Sequence, residues 1–158
     1  MAEGNRLVIV CPTCMTLNRA PAARLADPAR CGKCGQSLFQ GQPLELNATN
    51  FEQHAKQSDI PLLIEFWAGW CGACRQMEPV FAAAAAKTEP QARLGRVDTD
   101  AEPSLAARFG VQSIPSFILV EKGHTIAWTA GARPESSLLQ WIEDAIALHD
   151  RHFPGHSI

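Results

Sequence analysis

The 158 residues are 46% hydrophobic and 19% charged with a formal net charge of −2, which excludes extensive disorder and leaves apolar material for a core. A chain of this length holds one ordinary domain, or a domain of roughly 100 residues plus a small module that needs a staple, and the second arrangement is expected. Residues 1–40 carry Arg6, Arg19, Arg24, Arg30 and Lys33 against Glu3 and Asp27, and four thiolates on one divalent cation reduce that balance to about +1, too little for a strong phosphate-binding surface.

In chain order, the first apolar run is residues 7–10, too short for the core of an export signal or for a membrane span. The expectation is a cytoplasmic chain with no membrane contact. Its six cysteines are then metal ligands or redox groups, because the cytosol keeps thiols reduced. They form three CxxC pairs: Cys11 and Cys14, Cys31 and Cys34, Cys71 and Cys74. Sixteen residues separate the first two pairs, and Pro12, Gly32 and Gly35 flank them. That is the spacing of a four-thiolate zinc ribbon. A segment this short, with few large apolar side chains, cannot bury enough surface to fold unaided, so zinc held by Cys11, Cys14, Cys31 and Cys34 is expected to be structural. The weak charge and the lack of interleaved aromatic residues argue against a nucleic-acid partner.

Residues 40–43 (QGQP) read as a linker between a ribbon at 1–40 and a second module at 44–158. Thr49 and Glu52 have capping-box spacing, opening a short amphipathic helix that ends near Ser58. The continuous apolar run PLLIEFW at 61–67 predicts a buried strand. An alanine-rich helix follows over 71–87, kinked at Pro79. Then come a strand at 93–97, a helix at 103–109, and strands at 116–120 and 125–129 joined through Lys122-Gly123 as an antiparallel hairpin. Pro134 opens a last amphipathic helix carrying Leu138, Leu139, Ile142, Ala145 and Ile146. Phe81, Phe109 and Phe117 are expected in the core. His149, His152 and His156 read as a solvated tail, because Pro154-Gly155 breaks any helical ligand face. This alternation implies an α/β sandwich, a mixed sheet covered on both faces by helices.

Cys71 falls just after a strand and turn, at a helix start where free N–H groups and the macrodipole favour an anion. Lowering a thiol pKa from about 8.5 to about 7 multiplies the thiolate fraction at neutral pH about fifteenfold, and the weaker nucleophilicity takes back about fivefold. Activation alone is modest, so a second thiol must be in place to resolve the mixed disulfide. The order of the residues assigns Cys71, exposed at the helix tip, as the attacking sulfur and Cys74, turned inward one turn later, as the resolving one. No organic cofactor is called for.

The residues FWAGWCGAC at 66–74, then Pro79, Ser113-Ile114-Pro115-Ser116 and Gly131, resemble the thioredoxin family in order and spacing over roughly residues 44–150. With the four-cysteine module in front, the whole chain resembles the zinc-ribbon-bearing bacterial branch of that family. The resemblance implies a thioredoxin-like mixed sheet sandwiched by helices, preceded by a small zinc ribbon. It implies Trp67 and Trp70 beside the dithiol and a cis Pro115 against the sulfurs. It also implies a docking surface for oxidised protein substrates made by Trp70, Ala73, Ile114, Pro115 and Gly131. The implied activity is reduction of protein disulfides, with re-reduction by an NADPH-dependent thioredoxin reductase.

Two departures stand out. Ala73 occupies a position where the family usually has proline, which frees an N–H near the sulfurs and is expected to make the pair more oxidising, toward an oxidase or isomerase. Glu65 stands where the family has a buried aspartate that exchanges a proton with the resolving cysteine, and Arg96 stands where a lysine accompanies it. Burial should raise the Glu65 pKa. Two roles for the ribbon stay open: an adaptor that carries the thioredoxin module, and a redox sensor that releases zinc on oxidation.

Overall fold

The structure, a computed structural model, describes residues 5–154. Two sheets organise them. β1 (Arg6–Val10) and β2 (Leu17–Pro21) form an antiparallel hairpin in register from Arg6 with Pro21 to Val10 with Leu17. The strand period of two turns Leu7 and Ile9 to one side, where they meet Ala20, Leu25, Leu38, Cys11 and Cys31. Ile60, from the segment just ahead of the strand at residues 62–67, completes this small core.

The second sheet has five strands in the order β3-β5-β4-β6-β7. β3 (Leu44–Glu45), β5 (Arg93–Asp98) and β4 (Leu62–Trp67) run parallel; β6 (Ser116–Glu121) and β7 (His124–Ala130) are antiparallel to their neighbours. β4 is central and covered on both faces, which explains its unbroken apolar run. Leu62, Ile64 and Phe66 face Phe51, Val97, Leu105 and Ile118 on one side. Leu63 joins Met77, Phe81, Leu94, Phe117, Leu138 and Ile142 on the other.

α1 (Gly72–Thr88) and α3 (Glu135–His152) cover that second face. α1 buries Cys74, Met77, Phe81, Ala84, Ala85 and Thr88, the three-and-four spacing of one helical stripe. Phe81 and Phe117 are fully buried, as expected, and Phe109 packs partly buried against Phe51 and Phe66. α2 (Pro103–Arg108) and a π-helical turn at Gln53–Gln57 belong to the opposite face, which Ala55 and Leu105 help fill. The β6–β7 turn has positive φ at both Lys122 (51°) and Gly123 (84°), the type I′ geometry that matches strand twist.

The structure departs from the sequence reading in several places. The capping box lies two residues earlier than expected. Asn47 Oδ1 accepts from the Thr49 and Asn50 N–H groups at 2.8 and 3.1 Å, and Asn50 Oδ1 accepts from Asn47 N–H at 2.8 Å. Glu52 is instead engaged with Lys56 and Arg108. The turn that follows is π-helical. His149 is not a solvated tail residue: its Nε2 lies 2.6 Å from Glu121 Oε2, because α3 continues far enough to lay it on the end of β6. His156 lies outside the described residues.

The stretch at 40–43 is tethered rather than loose, since Gly41 N–H donates to Glu89 Oε1 at 2.8 Å. The two modules touch along further contacts. Val8 N–H donates to Asp59 Oδ2 at 2.6 Å, Asp59 N–H donates to Val8 O at 2.8 Å, and Gln53 Nε2 donates to Met15 O at 2.8 Å. Among the described residues no helix is long and apolar enough to cross a membrane.

Candidate active site and four-cysteine centre

β4 ends at Trp67, and the chain turns through Ala68-Gly69-Trp70 to deliver Cys71 as the N-cap of α1. Cys71 and Cys74 are paired as a disulfide, with their Cα atoms 5.2 Å apart. Cys71 Sγ accepts the Cys74 N–H at 3.2 Å. In the reduced protein that donor and the start of a 17-residue helix would stabilise a thiolate on Cys71.

Cys74 is buried, as expected. Cys71 is buried as well, with 7% of its surface accessible, and not openly exposed at the helix tip. The cause is the segment before β6, which brings the Ile114 carbonyl oxygen to 3.9 Å from Cys71 Sγ. The Ile114–Pro115 peptide is cis, and Pro115 is buried. Gly131 has φ +100°, open to glycine at no steric cost, and its N–H donates to Pro115 O at 2.9 Å. Trp70 is 69% exposed, Ala73 and Gly131 are exposed, and Ile114 is half-buried.

Glu65 is fully buried at the middle of the sheet. The strand alternation puts it on the α1 side with Leu63, in register beside Arg96 of β5. Arg96 Nε donates to Glu65 Oε1 at 3.2 Å, while Glu65 Oε2 has no partner among the described residues. Burial raises its pKa to about 7, against the opposing pull of Arg96. Arg96 also reaches Glu45 at 3.5 Å and stacks 4.2 Å over the Trp67 ring. The paired change of acid and base read from the sequence is therefore a contact in the structure.

The first two CxxC pairs form knuckles that repeat with an offset of twenty residues. Cys11 N–H donates to Thr16 O and Met15 N–H to Cys11 O; Cys31 N–H donates to Gln36 O and Gly35 N–H to Cys31 O. Met15 (φ 66°) holds the left-handed position that Gly35 (φ 79°) fills in the second knuckle. The four Sγ atoms lie within 4.8 Å of one another, with Cys11 to Cys34 at 3.7 Å and Cys14 to Cys31 at 3.6 Å. Tetrahedral zinc with Zn–S bonds of about 2.3 Å needs sulfurs about 3.8 Å apart, so the donor set fits that ion.

The electrostatics agree. N–H donors from its own knuckle and the Asn18 amide lower the Cys31 thiol to about 6. The Gln36 N–H acts to lower Cys34, but burial and the three neighbouring sulfurs push it up to about 11. Four thiolates this close repel one another, a repulsion that a bound cation would relieve. Asn18 was not legible as part of this centre: its amide donates to Cys31 Sγ at 3.4 Å and accepts from Gly32 N–H at 2.9 Å, and nothing in its sequence neighbourhood signals this.

The thioredoxin family model matches residues 42–144, and the model described as "Thioredoxin 2, N-terminal" matches residues 10–36. The chain belongs to the thioredoxin family. It is 41% identical over 140 residues to Thioredoxin C-3 of Corynebacterium nephridii, covering 89% of this chain and 96% of that protein. It is 40% identical over 105 residues to the putative thioredoxin 2 of Streptomyces coelicolor, covering 66% and 77% respectively. The solved structure of a point mutant of a thioredoxin from Halobacterium salinarum superposes with a TM-score of 0.60 at 28% identity, over 66% of this chain and 91% of that one. Like other thioredoxins, the protein is a thiol-disulfide oxidoreductase, with Cys71 and Cys74 as its redox pair.

Proposed function

We propose that Cys71 is the attacking sulfur and Cys74 the resolving one in reduction of protein disulfides. The observation that carries the assignment is the position of Cys71 Sγ at the α1 N-cap, accepting the Cys74 N–H at 3.2 Å. The Cys71 thiolate attacks one sulfur of a substrate disulfide, forming a mixed disulfide and expelling the other sulfur as a thiolate. Cys74 then gives its proton to the Glu65 carboxylate and attacks Cys71 Sγ. The second substrate sulfur leaves, and two electrons have passed from the dithiol to the substrate.

Trp70, Ile114, Pro115 and Gly131 would receive the substrate chain, with main-chain groups flanking the cis peptide aligning it. Zinc at Cys11, Cys14, Cys31 and Cys34 would supply folding free energy to the ribbon and take no part in electron transfer. Oxidised proteins are the proposed substrates, an NADPH-dependent thioredoxin reductase the electron source, and the cytoplasm the working compartment. A more oxidising role is the second reading, favoured by Ala73 standing exposed in the first turn of α1.

NADPH-coupled insulin reduction tests the assignment. Cys71→Ser should abolish turnover, and Cys74→Ser should accumulate a mixed disulfide with substrate. Turnover surviving in Cys71→Ser overturns it.

A further inference from the structure

Arg93 opens β5 at the end of the sheet opposite the dithiol, with only 3% of its surface exposed. Its guanidinium donates to Leu38 O at 2.8 Å through Nη1 and to Val10 O at 3.0 Å through Nη2. Val10 immediately precedes the first knuckle, and Leu38 follows the second. One side chain of the thioredoxin module therefore holds both flanks of the four-cysteine centre. The Phe39 ring lies 4.9 Å from Arg93 Cζ.

A buried cation needs a partner. Glu89 provides one at 2.8 Å, both side chains being 4% exposed, and its other oxygen accepts the Gly41 N–H. Burial lowers the Arg93 pKa, and the charges of Glu89 and Cys11 act in the opposite direction.

We propose that Arg93 is a positioning residue for the metal centre: it fixes the two flanking carbonyls of the cysteine knuckles and so slows the loss of zinc. The inference rests on the zinc reading proposed above. Groups that orient metal ligands typically contribute about 10- to 100-fold in metal affinity.

The test uses the full chain, loaded with zinc and assayed for stoichiometry before a chromophoric chelator is added in excess. Arg93→Met should release zinc about 10- to 100-fold faster than the natural protein. Arg93→Lys, which keeps the charge but cannot bridge both carbonyls, should fall between them and serves if Arg93→Met does not fold. Insulin reduction by reduced protein is expected to be unchanged in Arg93→Lys, separating the effect from the dithiol. Release from Arg93→Lys at the natural rate overturns the role of Arg93 while leaving the zinc reading intact. A natural protein that takes up no zinc overturns the zinc reading and this inference with it.

Discussion

Glu65 has a carboxylate whose burial and whose arginine partner act in opposite directions, and burial prevails. A group that titrates near neutrality can take a proton from a thiol and return it, which an ordinary carboxylate would do poorly. Glu65→Gln should slow NADPH-coupled insulin reduction about tenfold at pH 7.5, less than the about 10²–10⁴ of a fully engaged general base because thiols ionise readily. It should also flatten the rise in rate between pH 6 and 8. An unchanged pH profile removes Glu65 from the chemistry. Ala73 makes a separate prediction. Proline there would remove one of the free N–H groups in the first turn of α1, near Cys71. Ala73→Pro should lower the redox potential by roughly 30 mV, about tenfold in the exchange equilibrium with glutathione. Equal potentials would show that this N–H contributes nothing. The cysteine pairs were legible because their chemistry depends on residue type and spacing, whereas Glu65 drew notice only through the family resemblance. The burial of Cys71 was not, because the atoms that cover it come from Ile114, more than forty residues away.

Elements were read best where a hydrophobic period runs uninterrupted. β4, α1 and α3 follow their patterns closely, since each buries a face against the others. The turn ahead of β4 did not follow, because two overlapping sequences both offer a cap and tertiary contacts decide between them. Glu52 is drawn outward by Lys56 and Arg108, leaving Asn47 and Asn50 to satisfy the free N–H groups. The consequence is measurable. Asn47→Ala should cost about 1 kcal/mol of stability and Thr49→Ala only a few tenths, by chemical denaturation. The reverse order would restore the cap read from sequence. β1 and β2 were missed for a different reason: their hairpin is built around a cysteine knuckle, and a run as short as residues 7–10 carries little period of its own.

At the scale of the whole molecule, two buried titratable groups act against each other. His54, 2% exposed where the π-helical turn meets the ribbon side, has its pKa lowered to about 4 by burial and then by Arg93. Between pH 6.5 and 4 the unfolded chain therefore binds a proton that the native protein refuses, and stability falls as pH falls. Glu65 does the opposite. Its native pKa of about 7 lies above the ordinary 4.5, so over that window the native protein holds the extra proton and stability falls as pH rises. Where the windows overlap, the contributions of these two groups cancel in the natural protein. Removing either group exposes the other. Relative to the natural protein, Glu65→Gln should gain about 2 kcal/mol from pH 5 to 6.5, and His54→Leu should lose about as much over the same interval. Urea denaturation of the zinc-loaded proteins at both pH values checks this. Parallel pH dependence in all three proteins would mean that neither buried group governs how stability responds to acid.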